Sequence, residues 1–180
     1  MEREFEAKGL VSEQLFYKLI RSLNVVEIKE QSNTYIDSDN FFKNQNCALR
    51  LRIIAGQHIF SLKRKDSDGA TEWNQPITAE EYKSIIAKHQ INLADYNCPY
   101  DQVLTNTENI TIQTTRYVCE YQGTIVELDQ TTFGNTVDFE IEIETESLET
   151  SQTIMNNLCD EFGIVIKKSY PKIARYFMYN

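Results

Sequence analysis

The chain has 180 residues, of which 41% are hydrophobic and 25% are charged, and its formal net charge is −9. This length and composition indicate a globular protein with a single domain over residues 1–180. The excess of negative charge argues against nucleic acid as a partner, although a locally basic pocket can still bind a small anion. No apolar run is long enough for a membrane span, and the acidic start of the chain is unlike a secretory signal. We therefore expect a cytoplasmic protein without a membrane partner.

The spacing of the cysteines and the small number of histidines argue against several kinds of site. Cys47, Cys98, Cys119 and Cys159 lie far apart and form no C-x-x-C pair, which indicates reduced thiols in the core. The chain has only two histidines, so a zinc site or a Ser/His catalytic pair is not expected.

In chain order, the first half is predicted to contain strands and two helices. The opening residues alternate in polarity as a strand does, and Ser12 then caps a helix that runs to about Arg21. A capping box at Thr78 and Glu81 opens a second helix through Ala87. Strands are predicted over residues 25–36, 49–53, 59–65 and 71–77, with a turn or short helix over 37–46 and turns at 55–57 and 67–69.

The second half is predicted to be mainly strand. Residues 92–108 show few periodic positions and are predicted as helix and loop. Strands are predicted over residues 110–121, 124–131 and 137–145, and the dipeptides between them suit tight hairpins. Helices are predicted over residues 147–162, ended by Gly163, and over 170–178. About eight strands joined by local hairpins indicate a closed antiparallel barrel or a large sandwich.

The charged side chains of the predicted strands are sorted by sign. Alternate residues of a strand point to the same face, so each row of like charges shares one face. Acids lie toward the two ends of the chain, at Glu2, Glu4, Glu6, Glu127, Asp129, Glu140, Glu142 and Glu144. Bases lie between them and near the C-terminus, at Lys8, Arg50, Arg52, Lys63, Lys65, Arg116, Lys168, Lys172 and Arg175. Like charges in a row repel unless an opposite charge compensates them.

Two interpretations of these rows are open. The charged faces can be ordinary solvent faces, with the aliphatic faces forming the core. Alternatively, a barrel turns its charged faces inward, and helices cover the aliphatic faces outside. A divalent metal would then relieve the repulsion between the acids, and a polyanion would relieve the repulsion between the bases.

The motifs and their order resemble the CYTH domain family, also called the triphosphate tunnel metalloenzymes. The E-x-E-x-K of the first strand stands at Glu4, Glu6 and Lys8. The other matching motifs are Y-x-D at 35–37, L-R-x-R at 49–52, S-L-K at 61–63, an acid at Glu72, a base at Arg116, L-D at 128–129, E-x-E at 140–142 and the terminal S-K-x-x-R at 171–175. Pro171 replaces the serine of the last motif and removes a hydroxyl group that could contact phosphate. The resemblance extends from Glu4 to Arg175.

The resemblance implies an α+β fold in which an eight-stranded antiparallel β-barrel, the triphosphate tunnel, is flanked by helices. It also implies an enzyme that uses Mg²⁺ or Mn²⁺ to hydrolyse a small anionic triphosphate. Inorganic triphosphate is the expected substrate, with water attacking its terminal phosphate inside the charged tunnel. The protein would act as a monomer or homodimer.

Individual roles also follow from the resemblance. The metal ligands would be Glu4, Glu6, Glu72, Asp129, Glu140 and Glu142. The groups that bind substrate would be Lys8, Arg50, Arg52, Lys63, Arg116, Lys172 and Arg175. The catalytic residues would be Glu4, Glu6, Lys8 and Glu142. This division suits the chemistry, since hard oxygen ligands bind Mg²⁺ and guanidinium groups bind phosphate.

Two alternatives to inorganic triphosphatase are kept. A thiamine triphosphatase or a class IV adenylyl cyclase needs a further element that recognises the thiazole ring or the base, and no Gly-rich nucleotide loop identifies one. Four aromatic residues could serve, namely Trp73, Tyr96, Tyr100 and Tyr121. A protein of another class, a module that binds polyphosphate or a nucleoside triphosphate without turnover, would carry the same rows of charge.

Overall fold

A computed structural model of the protein describes residues 1–67 and 69–180. Asp68, the centre of the turn predicted at 67–69, lies outside the described residues. The strands are β1 (Glu2–Val11), β2 (Asn24–Asp37), β3 (Cys47–Ile54), β4 (Gln57–Lys65), β5 (Ala70–Ile77), β6 (Gln90–Asn92), β7 (Val103–Thr105), β8 (Glu108–Tyr121), β9 (Thr124–Phe133), β10 (Thr136–Thr145) and β11 (Lys167–Lys168). The helices are α1 (Glu13–Ser22), α2 (Ala79–Lys88), α3 (Leu148–Phe162) and α4 (Lys172–Tyr179), with short 3₁₀ turns at Lys43–Gln45 and Leu93–Asp95.

Eight strands pair in the order β10-β9-β8-β2-β3-β4-β5-β1, and β10 also pairs with β1. The order therefore closes on itself, with the short β11 added to β1. This is the pairing of an eight-stranded β-barrel, so the predicted fold class is confirmed. None of the helices in residues 1–67 and 69–180 is long and apolar enough to cross a membrane.

Local sequence signals account for three of the helix ends. The Ser12 hydroxyl accepts the Leu15 N–H at the start of α1. Thr78 and Glu81 form the predicted capping box of α2. Gly163 ends α3 in the left-handed region, at φ 64°, where a residue without a Cβ is favoured. The helices predicted from these signals are confirmed, and the ends of the helices and strands with stated bounds are displaced by at most two residues.

The prediction of helix and loop over residues 92–108 is wrong in part. The segment holds a 3₁₀ turn, but β7 pairs with β6 in a separate two-stranded sheet. Ile91 and Leu104 are cross-strand partners and both are buried. The pairing is favoured because it buries these two side chains, and strands of three residues are too short to show a period in the sequence.

The chain forms two compact units. The first comprises Met1–Arg3 and Ser32–Thr111, and the second comprises Glu4–Gln31 and Ile112–Asn180. In the first unit, β3, β4 and β5 form an antiparallel meander whose aliphatic faces lie in a core containing Leu49, Leu51, Phe60, Leu62 and Trp73. In the second unit, α1 and α3 contact β10, and the core contains Phe16, Leu19, Leu128, Ile141 and Leu158.

Candidate functional site

In the second unit, charged residues of neighbouring strands lie directly opposite one another. Arg116 on β8 pairs with Asp129 on β9, which pairs with Glu140 on β10. Two residues further along β10, Glu142 pairs with Lys8 on β1. Because cross-strand partners point to the same face, these five residues share one face of the sheet.

Three carboxylates on this face form what we call the acidic group, namely Asp129, Glu140 and Glu142. Each offers an oxygen atom that lies within 4.8 Å of the others. The Asp129 side chain is 0% exposed, that of Glu140 is 1% exposed, and that of Glu142 is 14% exposed. Carboxylates that are buried so close together need cations as partners.

Lys172 and Arg116 supply these cations. The Lys172 ammonium contacts every member of the acidic group, with Nζ 2.9 Å from Asp129 Oδ2, 3.0 Å from Glu140 Oε2 and 2.8 Å from Glu142 Oε1. Arg116 donates from Nε and Nη2 to the two oxygens of Asp129, at 2.7 Å each. It also donates to Glu142 and Glu127. These contacts link β8, β9, β10 and the first residue of α4 through ion pairs.

The pKa shifts of these groups record the same pairing. Burial alone would lower the pKa of Lys172, but the acidic group raises it well above its ordinary value. Burial would likewise lower the pKa of Arg116, but Glu142 and Asp129 raise it well above the ordinary value. Burial would raise the pKa of Glu142, but Lys172 and Arg116 hold it well below its usual range. For Glu127 burial prevails over Arg116, and the pKa is raised.

Arg175 contacts one member of the acidic group, Glu140. Its side chain is 1% exposed, and Nη1 and Nη2 donate to Oε1 and Oε2 of Glu140 at 2.8 Å each. The Ser169 hydroxyl donates to the same Glu140 Oε1 and accepts from Arg175 Nη1. Ser169 thus provides a hydroxyl group two residues before Pro171, which replaces the expected serine. Substrate binding by Arg175 stays a prediction, and its observed contacts are with protein groups.

The acids of the first strand lie outside the acidic group. Glu4 and Glu6 are half-buried on β1, and Glu6 accepts from Lys8 Nζ at 2.7 Å. Within the described residues, the one cluster of three potential metal-ligating side chains contains neither of them. Glu6 is the cross-strand partner of Glu144, which fixes the register that the repeated acids of the sequence leave open. Metal binding by Glu4 and Glu6 remains a prediction.

The first unit holds a second charged cluster. Arg50 Nη2 lies 2.8 Å from Glu72 Oε1, and Ser61, the cross-strand partner of Arg50, donates to the same oxygen. Burial would lower the pKa of Arg50, but Glu72 and Tyr35 raise it. Glu72, predicted as a metal ligand, is therefore the counter-ion of Arg50 in this structure, and metal binding by it remains a prediction.

Two other predicted bases lie on the same strands. Lys63 is half-buried and is the cross-strand partner of Glu72. Arg52 is half-buried, and its Nε donates to Asn33 Oδ1 at 3.0 Å. Asn33 is 2% exposed and was not predicted as a site residue, because one asparagine in a strand carries no periodic signal.

Burial decides between the two interpretations of the charged rows. A solvent-facing sheet would leave both rows exposed, yet Glu72, Asp129 and Glu140 are buried, and the Arg50 and Arg116 side chains are only 16% and 15% exposed. The alternate positions, such as Leu49 and Leu128, are buried as well. The strands therefore bury both faces, which contradicts the solvent-facing interpretation.

Comparison with known proteins gives a consistent result. The curated Bacillus subtilis (strain 168) protein "Putative triphosphatase YjbK" is 25% identical over 190 residues, which cover 98% of this chain and 95% of that protein. The solved structure of bh2851 from Bacillus halodurans, described as a "putative adenylate cyclase", is 31% identical, with a TM-score of 0.83 and 98% of each chain covered. The Hippeastrum protein HpAC1, described as a "putative adenylyl cyclase" that shows a dominant triphosphatase activity, is 22% identical, with a TM-score of 0.79, and the match covers 100% of this chain and 97% of that chain.

The family model of the CYTH domain matches residues 2–177. This range includes every charged residue of the two clusters and the whole barrel. The chain therefore belongs to the CYTH domain family.

Proposed function

We propose that the protein is a hydrolase of triphosphate-containing substrates that depends on Mg²⁺ or Mn²⁺, with inorganic triphosphate as its substrate. The observation that carries this proposal is the acidic group, in which two buried carboxylates and the half-buried Glu142 meet two half-buried cations, Arg116 and Lys172. Membership of the CYTH family and the name of the Bacillus subtilis relative support it.

The residues of the acidic group suit a hard divalent cation. Carboxylate oxygens are the ligands that Mg²⁺ and Mn²⁺ prefer, and three of them converge here within 4.8 Å. The position already accommodates positive charge, since Lys172 Nζ lies within 3.0 Å of each carboxylate. A bound metal would neutralise phosphate oxygens and lower the pKa of water. Glu4, Glu6 and Glu72 are further proposed ligands.

The bases would bind and orient the phosphates. Arg116 and Lys172 stay protonated at neutral pH because the acidic group raises their pKa. A guanidinium forks to two phosphate oxygens, and an ammonium supplies a point charge. Such groups stabilise the charge that develops on a transferring phosphoryl group. Lys8 in this unit, and Arg50, Arg52 and Lys63 in the first unit, complete the proposed substrate-binding set. For Arg175, whose guanidinium is bonded to Glu140, direct contact with substrate stays a prediction.

The proposed catalytic residues are Glu4, Glu6, Lys8 and Glu142. Glu142 keeps its negative charge at neutral pH, because Lys172 and Arg116 hold its pKa low. Lys8 lies opposite Glu142 and donates to Glu6. Glu142 can therefore act as an ionised ligand at neutral pH, and Glu6 is a hydrogen-bond acceptor.

A phosphate-release assay tests the proposal. The protein is incubated with triphosphate, thiamine triphosphate, ATP and pyrophosphate, each with Mg²⁺, with Mn²⁺ and with a chelator. We expect release from triphosphate that the chelator abolishes. Asp129→Asn should abolish this activity, whereas the matched control Asp160→Asn, an exposed acid on α3, should retain it. Equal release with excess chelator would contradict metal dependence.

Three other functions would give different results with the same set of substrates. An adenylyl cyclase is favoured by the name of bh2851, the relative at 31% identity, and it would convert ATP to cyclic AMP and pyrophosphate. A thiamine triphosphatase would prefer thiamine triphosphate. Tight binding of triphosphate without release of phosphate would indicate a binding module.

A single domain, a cytoplasmic location and a monomeric or homodimeric state remain predictions.

A further inference from the structure

Glu140 is held differently from the other members of the acidic group. A carboxylate offers about four positions for hydrogen bonds. Arg175 occupies one on each oxygen of Glu140, at 2.8 Å, and Ser169 adds a third bond on Oε1. Lys172 takes the fourth position, on Glu140 Oε2, and it also contacts Asp129 and Glu142. Arg116 contacts Asp129 and Glu142. Glu140 thus has two partners that neither of its neighbours contacts in the described residues.

The partners of Glu140 are themselves fixed. Arg175 is 1% exposed and lies one turn into α4, where its backbone N–H binds the Pro171 carbonyl at 3.0 Å. Its guanidinium carbon lies 5.6 Å from the centre of the Phe133 ring, and its Nε lies 3.2 Å from Asp138 Oδ2. The guanidinium therefore has little freedom to move, and its two parallel bonds define the plane of the Glu140 carboxylate.

We propose that Ser169 and Arg175 are positioning residues, which hold Glu140 in the orientation that a metal ligand needs. The inference rests on the proposed metal site of the acidic group. Repulsion from Asp129 and Glu142 would otherwise turn the Glu140 carboxylate away from them. Partners that orient a ligand in this way typically change metal affinity by about 10–100-fold when they are removed. Neither Ser169 nor Arg175 belongs to the acidic group itself.

Removing the charge of Arg175 distinguishes a positioning role from a purely electrostatic effect on cation binding. Arg175→Gln removes a positive charge close to the acidic group, so attraction for a divalent cation would increase if charge alone mattered. A positioning role predicts the opposite result, weaker binding of the cation. Ser169→Ala removes only a hydroxyl group, leaves the net charge unchanged and should also weaken binding.

Calorimetric titration with Mn²⁺ alone, at one pH, tests the proposal without any measurement of turnover. We expect Ser169→Ala to bind Mn²⁺ about tenfold more weakly than the wild type, and Arg175→Gln to bind it more weakly still. Ser169→Thr, which keeps the hydroxyl group, should restore most of the affinity. Ser147→Ala is the matched control, because it removes a serine that caps α3 through the Thr150 N–H and should not change Mn²⁺ affinity.

The results distinguish this inference from the proposed function. If the wild type binds Mn²⁺ and Ser169→Ala binds it equally well or more tightly, the positioning role is wrong and the metal site stands. If the wild type binds no Mn²⁺, both are wrong. Circular dichroism shows whether Arg175→Gln is folded, and if it is not, the comparison of Ser169→Ala with Ser169→Thr decides the question.

Discussion

Replacement of Arg116 by methionine is the most informative perturbation of the second unit. In the wild type the guanidinium makes two 2.7 Å bonds to Asp129 and contacts Glu142 and Glu127. Asp129 is 0% exposed and cannot recover these bonds from bulk water. Methionine fills much of the same volume, so the main loss is the positive charge.

The size of the effect can be bounded from the structure. Removing one partner of a buried ion pair typically costs about 3–5 kcal/mol, because the other charge stays buried. We expect the lower end, about 3 kcal/mol, since Lys172 still contacts both Asp129 and Glu142 and the Arg116 side chain is 15% exposed. For a chain of 180 residues this corresponds to a fall in melting temperature of about 6–12 °C.

Urea unfolding followed by circular dichroism measures this loss. The matched control is Lys29→Met, because Lys29 and Glu27 form an ion pair at 3.0 Å with side chains 32% and 57% exposed. Exposed pairs contribute about 0–1 kcal/mol, so this variant should unfold almost as the wild type does. A loss of less than about 1 kcal/mol in Arg116→Met would mean that the acidic group does not depend on this cation for its stability.

Three further predictions concern ligand binding, turnover and pH. Arg52→Ala should weaken the binding of a non-hydrolysable triphosphate analogue by about 2–5 kcal/mol and leave Mn²⁺ affinity nearly unchanged; equal affinity for the analogue by calorimetry would exclude Arg52 from the substrate site. Glu6→Gln should remove metal-dependent phosphate release with little change in melting temperature, because Glu6 is half-buried on a charged face and leaves no apolar cavity; retained activity would refute its role. Glu142 has a pKa held well below its ordinary value of 4.5, so its contribution to stability is complete above about pH 4.5 and is lost as the pH falls toward its folded pKa. The stability of Glu142→Gln, measured by urea unfolding from pH 3 to 6, should therefore fall less steeply with acid than that of the wild type, and parallel curves would contradict the pairing.

Most of the secondary structure, and the two faces of each long strand, could be predicted from the sequence alone. Alternation of Leu49, Arg50, Leu51 and Arg52 shows that apolar and charged side chains lie on opposite faces, because side chains of a strand repeat every two residues. Caps and turns such as Thr78, Glu81 and Gly163 set the ends of helices through local bonds and backbone angles. The resemblance of the motifs to the CYTH family predicted the barrel and its closure.

Which charged side chains contact one another depends on the three-dimensional fold. The sequence offers acids at every second position of β1 and β10, so a shift by two residues would preserve the pattern while changing every partner. Cross-strand pairing fixed the register, with Lys8 opposite Glu142 and Asp129 opposite Glu140. The contacts of Ser169 and Arg175 with Glu140 could not be predicted because they depend on where α4 packs, and packing between distant segments has no period in the sequence. The alternation of residues along a strand therefore determines on which face a charged side chain lies. The pairing of distant strands determines which other charged side chains it contacts.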